Sequence, residues 1–482
     1  MGRFRILAAM AACTVVSAIV PATAQQSGQE SAAAAGDSPI SKPCHIAGVS
    51  DIVQCHRLPV PLDRTRPDGE TIKIFYAVIP SNAAQPAADP LFILAGGPGQ
   101  AASEMGALID VAFSEVREHR DIVMMDRRGT GKSHPLDCEL FDEDDIRIDP
   151  AVLARRAGRC QSESGTDTRR FTAEDVVHDI DAVRQALGAE TISLWGGSYG
   201  TRSGLLYMRA YPDRVRAAVL DGVIGPEIRL FEASPAASHA AFMAWENQSP
   251  GMATQLRDLL AKHETAASYD SRNPMTGARQ DIPVERDMLA LTVRGTLYSP
   301  MTARTLPVGL AALDAGDPAP LMAAGSALGD VSASMYLGAT LATLCPEEIA
   351  RLSPGEARRA GEDTLFGDTF YRMFAAACRG WRVDPSSADY GERVVSDVPT
   401  LLLSGARDPV TPPSHADSAA EGLSRARHIV VDGGGHIVSP LGCVPGLIAD
   451  FLESGAPGTL DADCVADIPV RSVVTDTLGP GL

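Results

Sequence analysis

Positive charge is scarce in this chain: 42 Lys and Arg face 61 Asp and Glu, a formal net of −19 over 482 residues. That balance argues against nucleic acid or an anionic membrane as a partner. Beyond Val20 no segment is long and apolar enough to span a bilayer. There is no internal repeat, and neither C-x-x-C nor H-E-x-x-H spacing occurs, so no metal site is expected. A phosphate-binding loop is missing too. Gly129-Thr130-Gly131-Lys132-Ser133 has a superficial likeness to one, but that motif needs a glycine where Asp126 stands.

The amino terminus carries an address. Arg3 and Arg5 precede an apolar run over residues 6–20, and Ala22-Thr23-Ala24 is a small-residue cleavage site. This predicts a secretory signal over residues 1–24, followed by an unpatterned Ala/Ser/Gly/Gln linker over 25–43. A lipoprotein cut before Cys13 would fall in mid-run, with Met10 where an aliphatic residue is preferred. Cleavage removes two positive charges, taking the net from −19 to −21. Export, to the periplasm or the medium, makes disulfides the default for the eight remaining cysteines. Cys44/Cys55, Cys138/Cys160, Cys345/Cys378 and Cys443/Cys464 form four sequence-local couples, and consecutive pairing is predicted. Spacing alone does not choose among the 105 connectivities.

The pattern along the chain alternates strand and helix, yields to a long helical interval, then alternates again. Residues 71–80 alternate apolar and polar positions, whereas 91–95 and 121–125 are continuous apolar runs suited to a parallel sheet buried on both faces. A helix is expected over 101–118. Another opens at Thr172, with two acids in its first turn, and stops at Gly188. A strand is expected over 215–221. Helices are expected over 252–262, 286–297, 304–313 and 354–377. Strands 400–404 and 428–432 and helices 413–423 and 441–453 complete the reading. The domain expectation is therefore an α/β core in two parts, 44–225 and 397–470, split by a helical cap over 226–396, with a tail over 471–482. Such a cap shapes a cavity above the carboxyl ends of the strands.

Chemistry concentrates around Gly196-Gly197-Ser198-Tyr199-Gly200. A strand pattern precedes this G-x-S-x-G sequence and a helix pattern follows it, the context of a nucleophile elbow. An elbow calls for an acid and then a histidine after later strands. Asp408 follows 401–404, and His436 follows Gly433-Gly434-Gly435 after 429–432. Asp221, in an Asp-Gly turn after its own strand, is the alternative acid. In this scheme Ser198 attacks a carbonyl, His436 relays the proton and Asp408 orients the imidazole. The oxyanion donors would be the backbone N–H groups of Tyr199 and Gly97, the latter within Gly96-Gly97-Pro98-Gly99. No metal or organic cofactor is needed.

Ala95-Gly-Gly-Pro-Gly99, Asp126-Arg-Arg-Gly-Thr-Gly-Lys-Ser133, Gly196-Gly-Ser-Tyr-Gly-Thr201, Asp221-Gly222, Asp408-Pro-Val-Thr-Pro412 and Gly433-Gly-Gly-His436 together resemble the α/β-hydrolase family of proline iminopeptidases and tripeptidyl aminopeptidases. The likeness to the exported tripeptidyl-aminopeptidase branch covers nearly the whole mature chain, paired cysteines included. Ala95 departs from the His-Gly-Gly-Pro-Gly of many relatives. The resemblance implies an α/β-hydrolase fold, with a mostly parallel central sheet flanked by helices and an inserted helical cap. It also implies removal of residues from a free peptide amino terminus, which requires a cap carboxylate to hold the α-ammonium. Glu347 and then Glu348, in a Cys-x-Glu segment, are the candidates, with Glu246 beside Trp245 a third. Without such an acid the same triad would serve a carboxylic-ester or small-amide hydrolase. A catalytically silent binding fold is disfavoured by the intact set. Substrate length and oligomeric state are left open.

Overall fold

The computed structural model describes residues 41–141, 149–273, 276–326 and 335–476. The expected signal segment and most of the linker lie outside these residues. Nine strands form one sheet in the order β1-β2-β3-β5-β4-β6-β7-β10-β11. They are β1 (Lys42–Cys44), β2 (Val53–Pro61), β3 (Thr71–Ile79), β4 (Leu91–Leu94), β5 (Ile122–Met125), β6 (Ile192–Gly197), β7 (Val215–Asp221), β10 (Thr400–Gly405) and β11 (Ala426–Val431). The six strands from β5 to β11 pair parallel, and β1, β2 and β3 extend that sheet in antiparallel fashion.

The continuous apolar runs are the strands with two buried faces. Phe92 and Leu94 of β4 enter the core on one face, while Leu91 and Ile93 enter the core on the other. Helices Ala173–Ala186 and Tyr199–Ala210 cover the first face, and Gly106–Ala112 and Val444–Ser454 cover the second. Thr172 caps its helix as expected, accepting from Asp175 N–H while Asp175 reaches back, a capping box.

Some elements differ from the sequence expectation. The helix expected over 101–118 is broken, with Gly106–Ala112 and Ser114–Arg117 separated at Phe113. Phe113 leaves helical geometry to set its ring edge-on against Trp195 at 5.3 Å. The helix expected over 354–377 is two, Pro354–Gly361 and Thr369–Cys378, parted where Asp363 and Gly367 take positive φ. The interval between β7 and β10 also contains a hairpin, β8 (Ala267–Arg272) with β9 (Arg279–Val284). Its mostly exposed residues supply little of the apolar alternation that betrays a strand.

That interval does not share one core. Residues from Ala241 to Leu321 pack among themselves, whereas Ala339, Leu341, Ala342, Ala376, Trp381 and Tyr390 join the core beneath the sheet. The terminal segment is anchored as well, with Val473 buried in the former cluster and Val474 N–H bonded to the Arg304 carbonyl at 2.8 Å.

Four disulfides join the cysteines consecutively: Cys44–Cys55, Cys138–Cys160, Cys345–Cys378 and Cys443–Cys464. Each restricts the unfolded chain, a stabilisation of about 2–4 kcal/mol per bridge. Reduction under non-denaturing conditions is expected to lower the calorimetric melting temperature by about 5 °C or more. Unchanged melting after complete thiol exposure would count against that stabilisation.

Candidate active site

The elbow is built by close approach. β6 ends at Gly197, the helix Tyr199–Ala210 begins at once after Ser198, and Ser198 sits at φ 55° and ψ −125°. A non-glycine residue in this region stores about 1–3 kcal/mol of strain, retained only where its surroundings hold it. Here Ser198 N–H donates to the Asp221 carbonyl at 2.8 Å, and the Ser198 carbonyl accepts from Thr201 N–H at 2.9 Å and Thr201 Oγ1 at 2.6 Å. A Cβ on Gly200 would lie 2.0 Å from the Leu94 carbonyl oxygen, so only glycine lets the helix come this near to β4.

Asp408 and His436 follow the carboxyl ends of β10 and β11, and the structure brings them together. Asp408 Oδ2 lies 2.8 Å from His436 Nδ1 and accepts from Thr411 Oγ1 at 2.7 Å. Its Oδ1 accepts from the N–H groups of Val410 and Thr411, both at 2.8 Å. Burial alone would raise the Asp408 carboxyl, but the charge and hydrogen bond of His436, with the bonds from Thr411, outweigh it and hold the pKa at about 2. For His436 burial works against the cation, yet the Asp408 charge and hydrogen bond prevail and raise the imidazole above its usual 6.5.

The histidine backbone is fixed from two sides. His436 N–H donates to the Tyr298 carbonyl at 2.8 Å, and the two rings meet edge-on at 5.2 Å. Ile437 then takes φ 69°, rare for a β-branched residue. Beyond it Val438 N–H and Ser439 N–H reach Asp221 at 2.9 and 2.7 Å, and Ser439 Oγ donates to the same carboxylate at 2.6 Å. Asp221 thus directs its hydrogen bonds to the backbone after the histidine and to the Ser439 hydroxyl. Burial lifts its pKa to about 6 despite the bonds from Ser439 and Val438.

The glycine loop passes beside the serine. A Cβ on Gly96 would fall 2.9 Å from Ser198 Cβ, and Gly97 and Gly99 adopt φ of 109° and 127°. The helix Leu337–Glu347 holds the loop: Tyr336 N–H donates to the Gly99 carbonyl at 2.9 Å, and Thr340 Oγ1 donates to the Pro98 carbonyl. Tyr199 opens its own helix, so its N–H has no intrahelical acceptor. The loop at 126–133 is filled by its own acid. The Asp126 carboxylate accepts from Ser103 N–H at 2.8 Å and Lys132 N–H at 2.9 Å.

The three glutamates expected to hold an amine are engaged with protein groups. Glu347, 1% exposed, accepts from the hydroxyls of Tyr199 and Tyr390 and from Ala173 N–H at 3.1 Å. Burial raises its pKa, partly offset by both tyrosines and by Arg202 and Arg127. Glu348, equally buried, pairs with Arg202 and accepts from Leu230 N–H at 2.7 Å. Glu246 caps the next helix through Gly251 N–H and Ala253 N–H, both at 2.7 Å. The sequence expectation did not foresee these partners, because they come from remote segments that local sequence does not reveal. It also overlooked Thr411, although that residue stands in the Asp408-Pro-Val-Thr run. Tyr298 and Tyr390 carry no local signal at all.

Residues 89–442 match the family described as the alpha/beta hydrolase fold. The chain belongs to the α/β-hydrolase family. Among relatives of this hydrolase is the serine protease Hip1 of Mycobacterium tuberculosis, 29% identical over 468 residues that cover 85% of this chain and 87% of that protein. The tripeptidyl aminopeptidase of Streptomyces lividans is 28% identical over 228 residues, 44% of this chain and 41% of its own. The proline iminopeptidase of Aeromonas sobria is 32% identical over 195 residues, 39% and 41% of the two chains.

Proposed function

We propose that this α/β-hydrolase is an exported serine aminopeptidase that releases short units from peptide amino termini. The observation that carries the chemistry is the Asp408–His436 contact at 2.8 Å beside an elbow that holds Ser198 at positive φ. Ser198 Oγ attacks the scissile carbonyl while His436 takes its proton, and the imidazolium so formed is stabilised by Asp408. The N–H groups of Gly97 and Tyr199 receive the oxyanion. His436 returns the proton to the leaving amine, an acyl-enzyme remains on Ser198, and water repeats the sequence to free the acid.

Residues 226–396 serve as the cap in this reading, and Glu347 and Glu348 act as positioning residues beneath the elbow. Export is supported by the leader-like amino terminus and four disulfides. Among the described residues no helix is long and apolar enough to cross a membrane. Peptidase relatives, one of them matched over most of its length, support a peptide substrate. The engaged state of Glu246, Glu347 and Glu348 favours a second reading, a carboxylic-ester or small-amide hydrolase with the same triad.

Matched peptides with free and acetylated amino termini separate the two. The aminopeptidase is expected to favour the free amine by about tenfold or more in kcat/KM, the worth of one charge-assisted contact. Equal turnover would leave the second reading.

A further inference from the structure

Next to the candidate triad lies a small pocket, walled by Phe231, Phe366, Phe370 and Tyr371 and floored by Arg294. It meets the triad on two sides. Ser238 of its lining donates to the Pro409 carbonyl, beside Asp408, at 2.8 Å. Arg294 Nη1 donates to the hydroxyl of Tyr298 at 3.1 Å, and Tyr298 packs on the His436 ring.

Arg294 is 5% exposed, and among the described residues it has no carboxylate partner. Its contacts are neutral: Tyr298, Ser234 Oγ at 3.1 Å and the face of Phe370 at 4.0 Å. Its Nε has no acceptor. Asp368, also in the lining, and nearby Asp287 are both committed to Arg372, at 2.9 and 2.6 Å. Buried Arg128 and Arg202 pair with Asp179 and Glu348, whereas Arg127, also buried, donates to Thr343 Oγ1 at 2.8 Å and lies over the Tyr199 ring. Burying a guanidinium without a counter-ion is costly, and a carboxylate arriving with a ligand removes that cost while meeting the free donor.

We propose that Arg294 binds a carboxylate of the substrate, so that preferred substrates carry an acidic side chain or a chain-terminal carboxylate beside an apolar or aromatic group. The inference rests on the serine-hydrolase reading of Ser198 and adds the charge class of what that serine meets.

Two substrate pairs identify the source of the carboxylate: amino-free peptidyl anilides ending in Glu or Gln, and short peptides with a free or amidated carboxyl terminus. In one pair the acid is expected to exceed its amide by about tenfold or more in kcat/KM. That ratio should fall to within about twofold of unity in Arg294→Gln and partly return in Arg294→Lys. Arg279→Gln, on the exposed hairpin, should retain the wild-type ratio. Ratios near unity in both wild-type pairs, or a ratio unmoved by Arg294→Gln, would overturn the proposal. If no peptide is turned over, the peptidase reading fails separately. Protection of Ser198 from a fluorophosphonate probe by 3-phenylpropionate, against 3-phenylpropanamide, then decides on the wild-type protein alone. Protection at about tenfold lower carboxylate concentration supports the assignment, and equal protection refutes it.

Discussion

Ser198→Ala is expected to lower turnover by on the order of 10⁶ on every substrate, since removing the nucleophile of a triad costs about as much as removing the whole triad. Labelling by a fluorophosphonate should vanish with it. The fold should survive, because the strained turn is held by backbone contacts of residue 198, to Asp221 and Thr201, that alanine retains. Steady-state kinetics, probe labelling and a melting curve on one preparation test all three points. Residual turnover within a hundredfold of wild type, with contaminating hydrolase excluded by the absence of labelling, would remove Ser198 from the mechanism.

The second large effect is expected from Asp408→Asn. Loss of the carboxylate leaves the imidazole in the wrong tautomer and its cation uncompensated, at a cost of about 10⁴ in kcat. The pH profile should change shape as well. In the wild type kcat/KM rises as His436 loses its proton, and the Asp408 charge places that midpoint above the ordinary 6.5. In Asp408→Asn the midpoint should move to lower pH, because the cause of the upward shift is gone.

Stability follows from the same pair. A raised histidine stabilises the fold fully below 6.5 and loses that contribution as pH climbs through its folded value. A depressed Asp408 stabilises above 3.8 and loses its contribution as pH falls toward about 2. The gap in melting temperature between wild type and Asp408→Asn should therefore be widest between about pH 4 and 6.5 and narrow above that range. A gap independent of pH would mean that the two groups are not coupled.

Much of the site is legible from short motifs because those motifs are steric demands. Gly200 is required by the Leu94 carbonyl and Gly96 by Ser198, so the glycine pattern is a record of close approach. The acid and histidine are readable because they follow buried strands whose apolar runs are unmistakable. The partners of the glutamates are hidden for the opposite reason. Nothing near Glu347 in sequence foretells Tyr199 and Tyr390, which lie 148 and 43 residues away. Arg294 is silent for a related reason: a lone arginine on an amphipathic helix looks like surface until the lack of a counter-ion becomes visible in three dimensions. The break at Phe113 is tertiary as well, set by a ring contact, while the one near Gly367 lies at residues of positive φ.

The helix Leu337–Glu347 touches both proposed oxyanion donors' surroundings, reaching the glycine loop through Thr340 and the Tyr199 ring system through Glu347. Seven helical steps separate those two residues, a rod of about 10 Å at 1.5 Å per step. The helix therefore works as a spacer gauge, setting how far apart the two halves of the proposed anion cradle stand. Inserting or deleting a single residue between them would shift one half by about 1.5 Å and turn it by about 100°. The eight-residue stretch from Thr340 to Glu347 should thus tolerate changes of side chain far better than any change of length.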